Sequence, residues 1–90
     1  MIRPYGDLVE SISNARFSPV RLHEGYEMSA VDDLLDRVVA ALGRGESVLD
    51  LLDGARLPRV RWREGYDTAE VDAFLTDLRR SVAAEGEEAR

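Results

Sequence analysis

The chain has 90 residues, of which 44% are apolar and 33% charged, and its formal net charge is -6. That is enough apolar material for one small core and too much for a disordered chain. The composition excludes disulfides and thiolate metal sites, since there is no cysteine, and the acidic balance argues against general nucleic-acid binding, which works by neutralising phosphates.

No apolar run approaches the roughly 20 residues that span a bilayer. The opening residues, Met1 to Gly6, lack the apolar stretch of a secretory signal. A soluble, cytoplasmic protein is the expectation. All 12 basic residues are arginine, as a GC-rich coding sequence would give.

In chain order, Asp7 is placed to cap a short helix with Glu10 at its third position, and Leu8, Val9 and Ile12 form its apolar stripe. Two helical turns are too few to persist alone, so this helix must pack on something. The run Arg16-Phe17-Ser18-Pro19-Val20-Arg21-Leu22 follows, and its proline forbids helix and favours an extended path. After Glu24-Gly25-Tyr26 comes a helical stripe, Val31, Leu34, Leu35, Val38, Val39 and Leu42, ending at Gly43-Arg44-Gly45.

The pattern then repeats. Ser47 to Asp53 reads as a second short helix, with Gly54 at the left-handed position that commonly ends one. In Arg56-Leu57-Pro58-Arg59-Val60-Arg61-Trp62, Val60 and Trp62 alternate with Arg59, Arg61 and Arg63, the period of a short strand with one buried face. By that period Trp62 reads as core, like Leu22 and Val20 in the first copy. Phe17 and its counterpart Leu57 also read as core. Proline keeps both strands from a central place in a large sheet. The two strands are expected to pair with each other about a pseudo-twofold axis.

Glu64-Gly65-Tyr66 then introduces the last stripe, Val71, Phe74, Leu75, Leu78 and Val82. Asp67 suits an N-cap, with Glu70 completing a capping box. Tyr66 and Val71 have the spacing of a hydrophobic staple, as have Tyr26 and Val31, and Gly25 and Gly65 allow a sharp backbone turn before it. At an offset of 40, 10 of the 24 positions from Ala15 to Val38 are identical. A repeated unit that cannot bury its own apolar face stacks on its copy. The expected fold is mainly α with a minor β part, as two pseudo-symmetric helix–short strand–helix repeats packed in one domain. The repeats run over about 7–43 and 47–83, and 84–90 forms a disordered tail.

No catalytic set, cofactor site or metal site assembles from these residues. His23, the only histidine, is matched by Arg63, so no repeated imidazole exists. Asp32, Asp33 and Asp36 lack the spacing of a calcium loop and suit the positive end of a helix. No phosphate loop or nucleophile elbow is present, and no small-molecule substrate is expected. The arginines Arg59, Arg61 and Arg63 are the residues best placed to touch anionic lipid or an acidic partner. A charged, solvent-facing strand edge explains them better, because the first copy has only Arg21 and His23 there.

The segments Phe17…Gly25-Tyr26-Glu27…Val31-Asp32-Asp33-Leu34-Leu35 and Gly65-Tyr66-Asp67…Glu70-Val71-Asp72-Ala73-Phe74-Leu75 resemble the DivIVA motif of bacterial division and polar-growth scaffolds. The second copy is the closer match, and Leu8 to Asn14 resembles the short segment that precedes the motif. Small actinobacterial proteins with tandem motifs of this type are the nearest in pattern. The resemblance implies a non-enzymatic scaffold, protein partners and self-association. In the family a long coiled coil continues the helix, whereas the stripes here stop at Gly43 and near Gly86. The family's lipid-contacting loop has an apolar aromatic and a basic residue just before Gly-Tyr. His23-Glu24 and Arg63-Glu64 stand there, so only a weak contact with an anionic membrane surface is implied, through Arg63.

Overall fold

A computed structural model describes residues 6–88. Four helices carry most of these residues: α1 (Gly6–Ser13), α2 (Met28–Arg44), α3 (Val48–Gly54) and α4 (Thr68–Glu88). Between them lie four very short strands: β1 (Pro19–Val20), β2 (Gly25–Tyr26), β3 (Arg59–Val60) and β4 (Gly65–Asp67). The fold is mainly α with a small antiparallel sheet, in two matching halves.

The sheet order is β1-β4-β2-β3, so strands of the two halves interleave. At the centre β2 lies against β4, with Tyr26 opposite Tyr66. On the flanks Pro19 faces Tyr66, and Arg59 faces Tyr26. These registers map onto each other under the offset of 40, so the pseudo-twofold axis passes through the Tyr26–Tyr66 pair. Two further backbone bonds obey the same symmetry. The Glu27 N–H donates to the Pro58 carbonyl and the Asp67 N–H to the Ser18 carbonyl, both at 2.9 Å.

This corrects the expected pairing. Strands β1, which starts at Pro19, and β3, which follows Pro58, do not pair with each other. Each is an edge strand, and in β1 that is where the Pro19 amide, which cannot donate, does least harm. The central pair is made by the Gly-Tyr segments, which were expected to be corners.

The alternation after Val60 also fails to extend the strand. β3 stops there, the chain bends through residues 61–63, and Trp62 has φ 68° with 73% of its surface exposed. Its counterpart Leu22 is 70% exposed. Both were expected in the core. Phe17 and Leu57 are partly buried and pack against the core, as expected.

Helix boundaries follow local chemistry. Glu27 precedes α2 without a side-chain cap bond. Gly45, at φ 71°, ends the helix in left-handed backbone, and the Glu46 N–H reaches back to the Ala41 carbonyl at 2.9 Å. Ser47 caps α3 by accepting from the Asp50 N–H. Gly54 does not take the left-handed turn expected of it: it is the last residue of α3, and Ala55 leaves the helix extended. α1 begins at Gly6, one residue before the expected Asp7 cap, whose side chain lies outside the described ones. α4 runs through Gly86 to Glu88, beyond the expected end at about 83. Residues 89 and 90 lie outside the described residues.

The core is one cluster drawn from both halves. Val31, Val38 and Val71 have no exposed surface, and Leu34, Leu78, Val48 and Ile12 are almost as deeply buried. α1 packs on α2 and α3 on α4, so each short helix is held by the long helix of its own repeat. No helix among the described residues is long and apolar enough to cross a membrane.

Candidate functional site

The repeated residues converge on the strand crossing. Gly25 and Gly65 are both buried there. A Cβ on Gly25 would lie 2.9 Å from the Tyr66 carbonyl oxygen and 2.7 Å from a Val20 methyl. A Cβ on Gly65 would lie 2.9 Å from the Tyr26 carbonyl oxygen and 2.9 Å from a Val60 methyl. Neither glycine has positive φ. They are glycine because two backbones pass within a side chain's width of each other, not because the chain needs an unusual bend. That replaces the corner role read from the sequence.

The tyrosines lock the same crossing. The Tyr26 hydroxyl donates to Asp72 Oδ1 at 2.7 Å, and the Tyr66 hydroxyl donates to Asp32 Oδ1 at 2.9 Å. Each bond runs from one repeat to the long helix of the other. The acceptors are charged, which makes such bonds stronger than neutral ones. Val31 and Val71, one residue earlier in each long helix, are fully buried beneath. Asp32 and Asp72 match at the offset of 40, so their pairing with tyrosine had a visible signal in the repeat. Sequence reading assigned them only to solvated helix faces.

Asp67 does cap α4, its Oδ1 accepting the Glu70 N–H at 3.1 Å. Glu70 does not close the capping box. Its carboxylate instead accepts from the Ser18 N–H at 2.7 Å and from the Ser18 hydroxyl at 2.9 Å. Pro58 and Ala30 occupy the equivalent positions in the other half and cannot form this bond. Around Tyr66 the halves differ further, for Phe17 packs against both Tyr66 (tilted) and Phe74 (edge-to-face), with centroids 5.3 and 5.6 Å away. Leu57 takes the place of Phe17 opposite Tyr26, where Arg59 covers the ring at 5.5 Å.

Burial, then the hydrogen bond to Asp32, hold the Tyr66 phenol above its ordinary range, and Arg16 pulls weakly the other way. A raised folded pKa means that the unfolded chain releases this proton first. The stabilisation is complete below the ordinary tyrosine value of about 10 and is lost as pH rises through the folded value. Tyr66→Phe is therefore expected to lose stability less steeply above about pH 10 than the parent chain. Urea unfolding at a series of alkaline pH values measures this, and parallel curves for the two proteins would refute it.

The three arginines do not form one free stripe. Arg59 lies 3.9 Å from Glu24 and Arg63 lies 3.2 Å from Glu27. Arg61 has no ion pair among the described residues. Beside it stands the exposed Trp62, which sequence reasoning consigned to the core. His23 is exposed. Among the described residues, no group of three or more potential metal ligands comes together.

Surface hollows flank the strand crossing in both halves. One lies between α1 and α2, encloses about 390 Å³, and includes Ile12, Phe17, Leu35, Val39 and Tyr66 in its lining, with Asp32 and Asp36 on one wall. Its counterpart in the second half is divided into hollows of about 240 and 470 Å³ that share Leu52, Asp72 and Leu75 and carry Arg79 and Arg59 respectively.

Compared with family models, curated proteins and solved structures, the chain matches none.

Proposed function

We propose that this chain is a non-enzymatic interaction module resembling DivIVA-domain scaffolds, serving bacterial division or envelope growth through protein partners and self-association. The observation that supports it best is how the repeated residues are used. Gly25, Tyr26 and Asp32, with Gly65, Tyr66 and Asp72, join two motif copies about one axis. One chain thereby acquires the twofold body that two single-motif chains would otherwise build together. The outer surface is left for partners. On this reading the module acts in the cytoplasm without a cofactor or small-molecule substrate.

Light scattering and capture with tagged protein test the reading. A mass above one chain, together with capture of a division or envelope component, is expected. A chain that stays monomeric and captures neither would overturn it.

A second reading, a peripheral adaptor at the inner membrane face, draws on Arg61 and the exposed Trp62 and Leu22. It ranks below the first because Arg59 and Arg63 sit beside Glu24 and Glu27, and the net charge of -6 opposes an anionic surface. Flotation with anionic vesicles decides it. Binding that disappears when Arg59, Arg61 and Arg63 are replaced favours the adaptor, and an absence of anionic-lipid dependence eliminates it.

A further inference from the structure

The halves of this molecule differ on their outer faces, and two of those differences are complementary. In the first half the groove between α1 and α2 is open and carries two aspartates against one arginine, Arg16, whose guanidinium donates to the Ser13 and Ala15 carbonyls. Its apolar floor includes Leu35, Val39 and Phe17, and Asp32 and Asp36 stand one helical turn apart on the wall. Neither aspartate, nor Asp33 beside them, has an ion-pair partner among the described residues. In the second half Arg79 replaces Val39 and Asp53 replaces Ser13. Those two form an ion pair of 2.6 Å that ties α3 to α4.

The second half carries the opposite feature. Arg61-Trp62-Arg63 forms the bend between β3 and β4, with Trp62 73% exposed at φ 68°. A bulky residue in left-handed backbone is uncommon and costs energy, so its persistence calls for a reason. Leu22, at the equivalent place, is not held in that conformation. An exposed tryptophan flanked by arginines has the composition that dominates interface anchors.

We propose that the Trp62 loop of one copy docks in the α1–α2 groove of a second copy. The indole lies on the apolar floor and Arg61 faces Asp32 and Asp36. The proposal rests on the self-association in the reading above and supplies its surfaces. Trp62 does not line the groove of its own chain. The contact is heterologous, so unless its rotation closes a ring it repeats head to tail as an open chain. Anionic lipid suits the loop less well, since Glu24, Glu27 and Glu64 lie near it on a chain of net charge -6.

Sedimentation of the whole chain over a range of concentrations, at low and high salt, tests this with two variants. Trp62→Ala removes the anchor. The pair Ser13→Asp with Val39→Arg copies the second half's ion pair into the groove. The parent chain is expected to form species that lengthen with concentration and shorten with salt. Each variant is expected to associate about 30-fold more weakly, as when a central interface anchor is truncated. An equal mixture of the two has one good loop and one good groove, so it should form heterodimers and nothing longer. Circular dichroism should show both variants folded, and Trp62→Phe should restore part of the association.

If the parent associates and both variants associate equally well, the loop and groove assignment falls while self-association stands. A parent that stays monomeric at all concentrations overturns both. If Trp62→Ala loses binding to anionic vesicles but keeps its mass distribution, the loop belongs to lipid and the proposal is wrong.

Discussion

Gly65→Ala is expected to destabilise the chain by about 2–3 kcal/mol, the upper range for forcing a methyl into a closed contact. The added Cβ would sit 2.9 Å from the Tyr26 carbonyl oxygen, closer than such atoms approach in folded proteins. The oxygen belongs to the backbone and Gly25 C lies 3.2 Å away, so moving the Val60 methyl alone cannot relieve the clash. For a domain of this size that loss corresponds to roughly 8–24 °C in Tm. Gly25→Ala meets the Tyr66 carbonyl oxygen at the same 2.9 Å and should cost a similar amount.

The double variant separates this explanation from simple backbone stiffening. Both methyls press on one seam, so once the first has parted the strands the second costs less. Two independent effects would add. Urea unfolding of the two single variants and the double variant measures the coupling. Alanine at either site with unchanged stability would show that the strands do not pass as closely as described.

Leu78→Ala is the second large effect, at about 3 kcal/mol within the usual 2–5 for a buried leucine. Leu78 is 3% exposed and belongs to the core cluster that also contains Val48 of α3. A domain of 90 residues has roughly 5–13 kcal/mol in total, so the loss is a large share of it. α3 is only seven residues long and depends on α4 for its persistence. Hydrogen exchange should therefore show the α3 amides losing protection together with α4. If α3 kept full protection, its docking would not depend on this layer. Trp62→Ala, remote from the core, is expected to change stability by less than about 0.5 kcal/mol.

Much of the architecture is legible because it is periodic. The offset of 40 reveals two units, the stripes from Val31 and Val71 reveal the long helices, and Pro19 and Pro58 keep their strands from the sheet's centre. What sequence reading missed depends on partners far along the chain. Gly65 suggested a local bend, because its actual neighbour is the Tyr26 carbonyl in the other repeat. Glu70 looked like the second half of a capping box, yet its partner Ser18 lies 52 residues away. Trp62 continued an alternating pattern on paper, but the strand had already ended at Val60. Local rules predicted the local elements, while the contacts that fix the role of each repeated residue are nonlocal. The same holds for the candidate site. The arginines were visible as a group, but the structure pairs Arg59 with Glu24 and Arg63 with Glu27, and Arg61 has no ion pair among the described residues.

The interleaved order β1-β4-β2-β3 also has a consequence for how the chain reaches its fold. Neither half can complete its sheet from its own residues, since β1 needs β4 and β2 needs both β3 and β4. During synthesis, β2 must wait with unpaired edges until the chain has emerged past Asp67. Folding is then gated by loop closures of about 40 residues, and nonlocal pairing of this kind slows the search. While it waits, the first half can be captured by the first half of a neighbouring nascent chain, because the same segments fit in trans. Joining both copies on one chain keeps the correct partner at high local concentration, and the short connection at Gly45 to Ser47 limits how far it can stray.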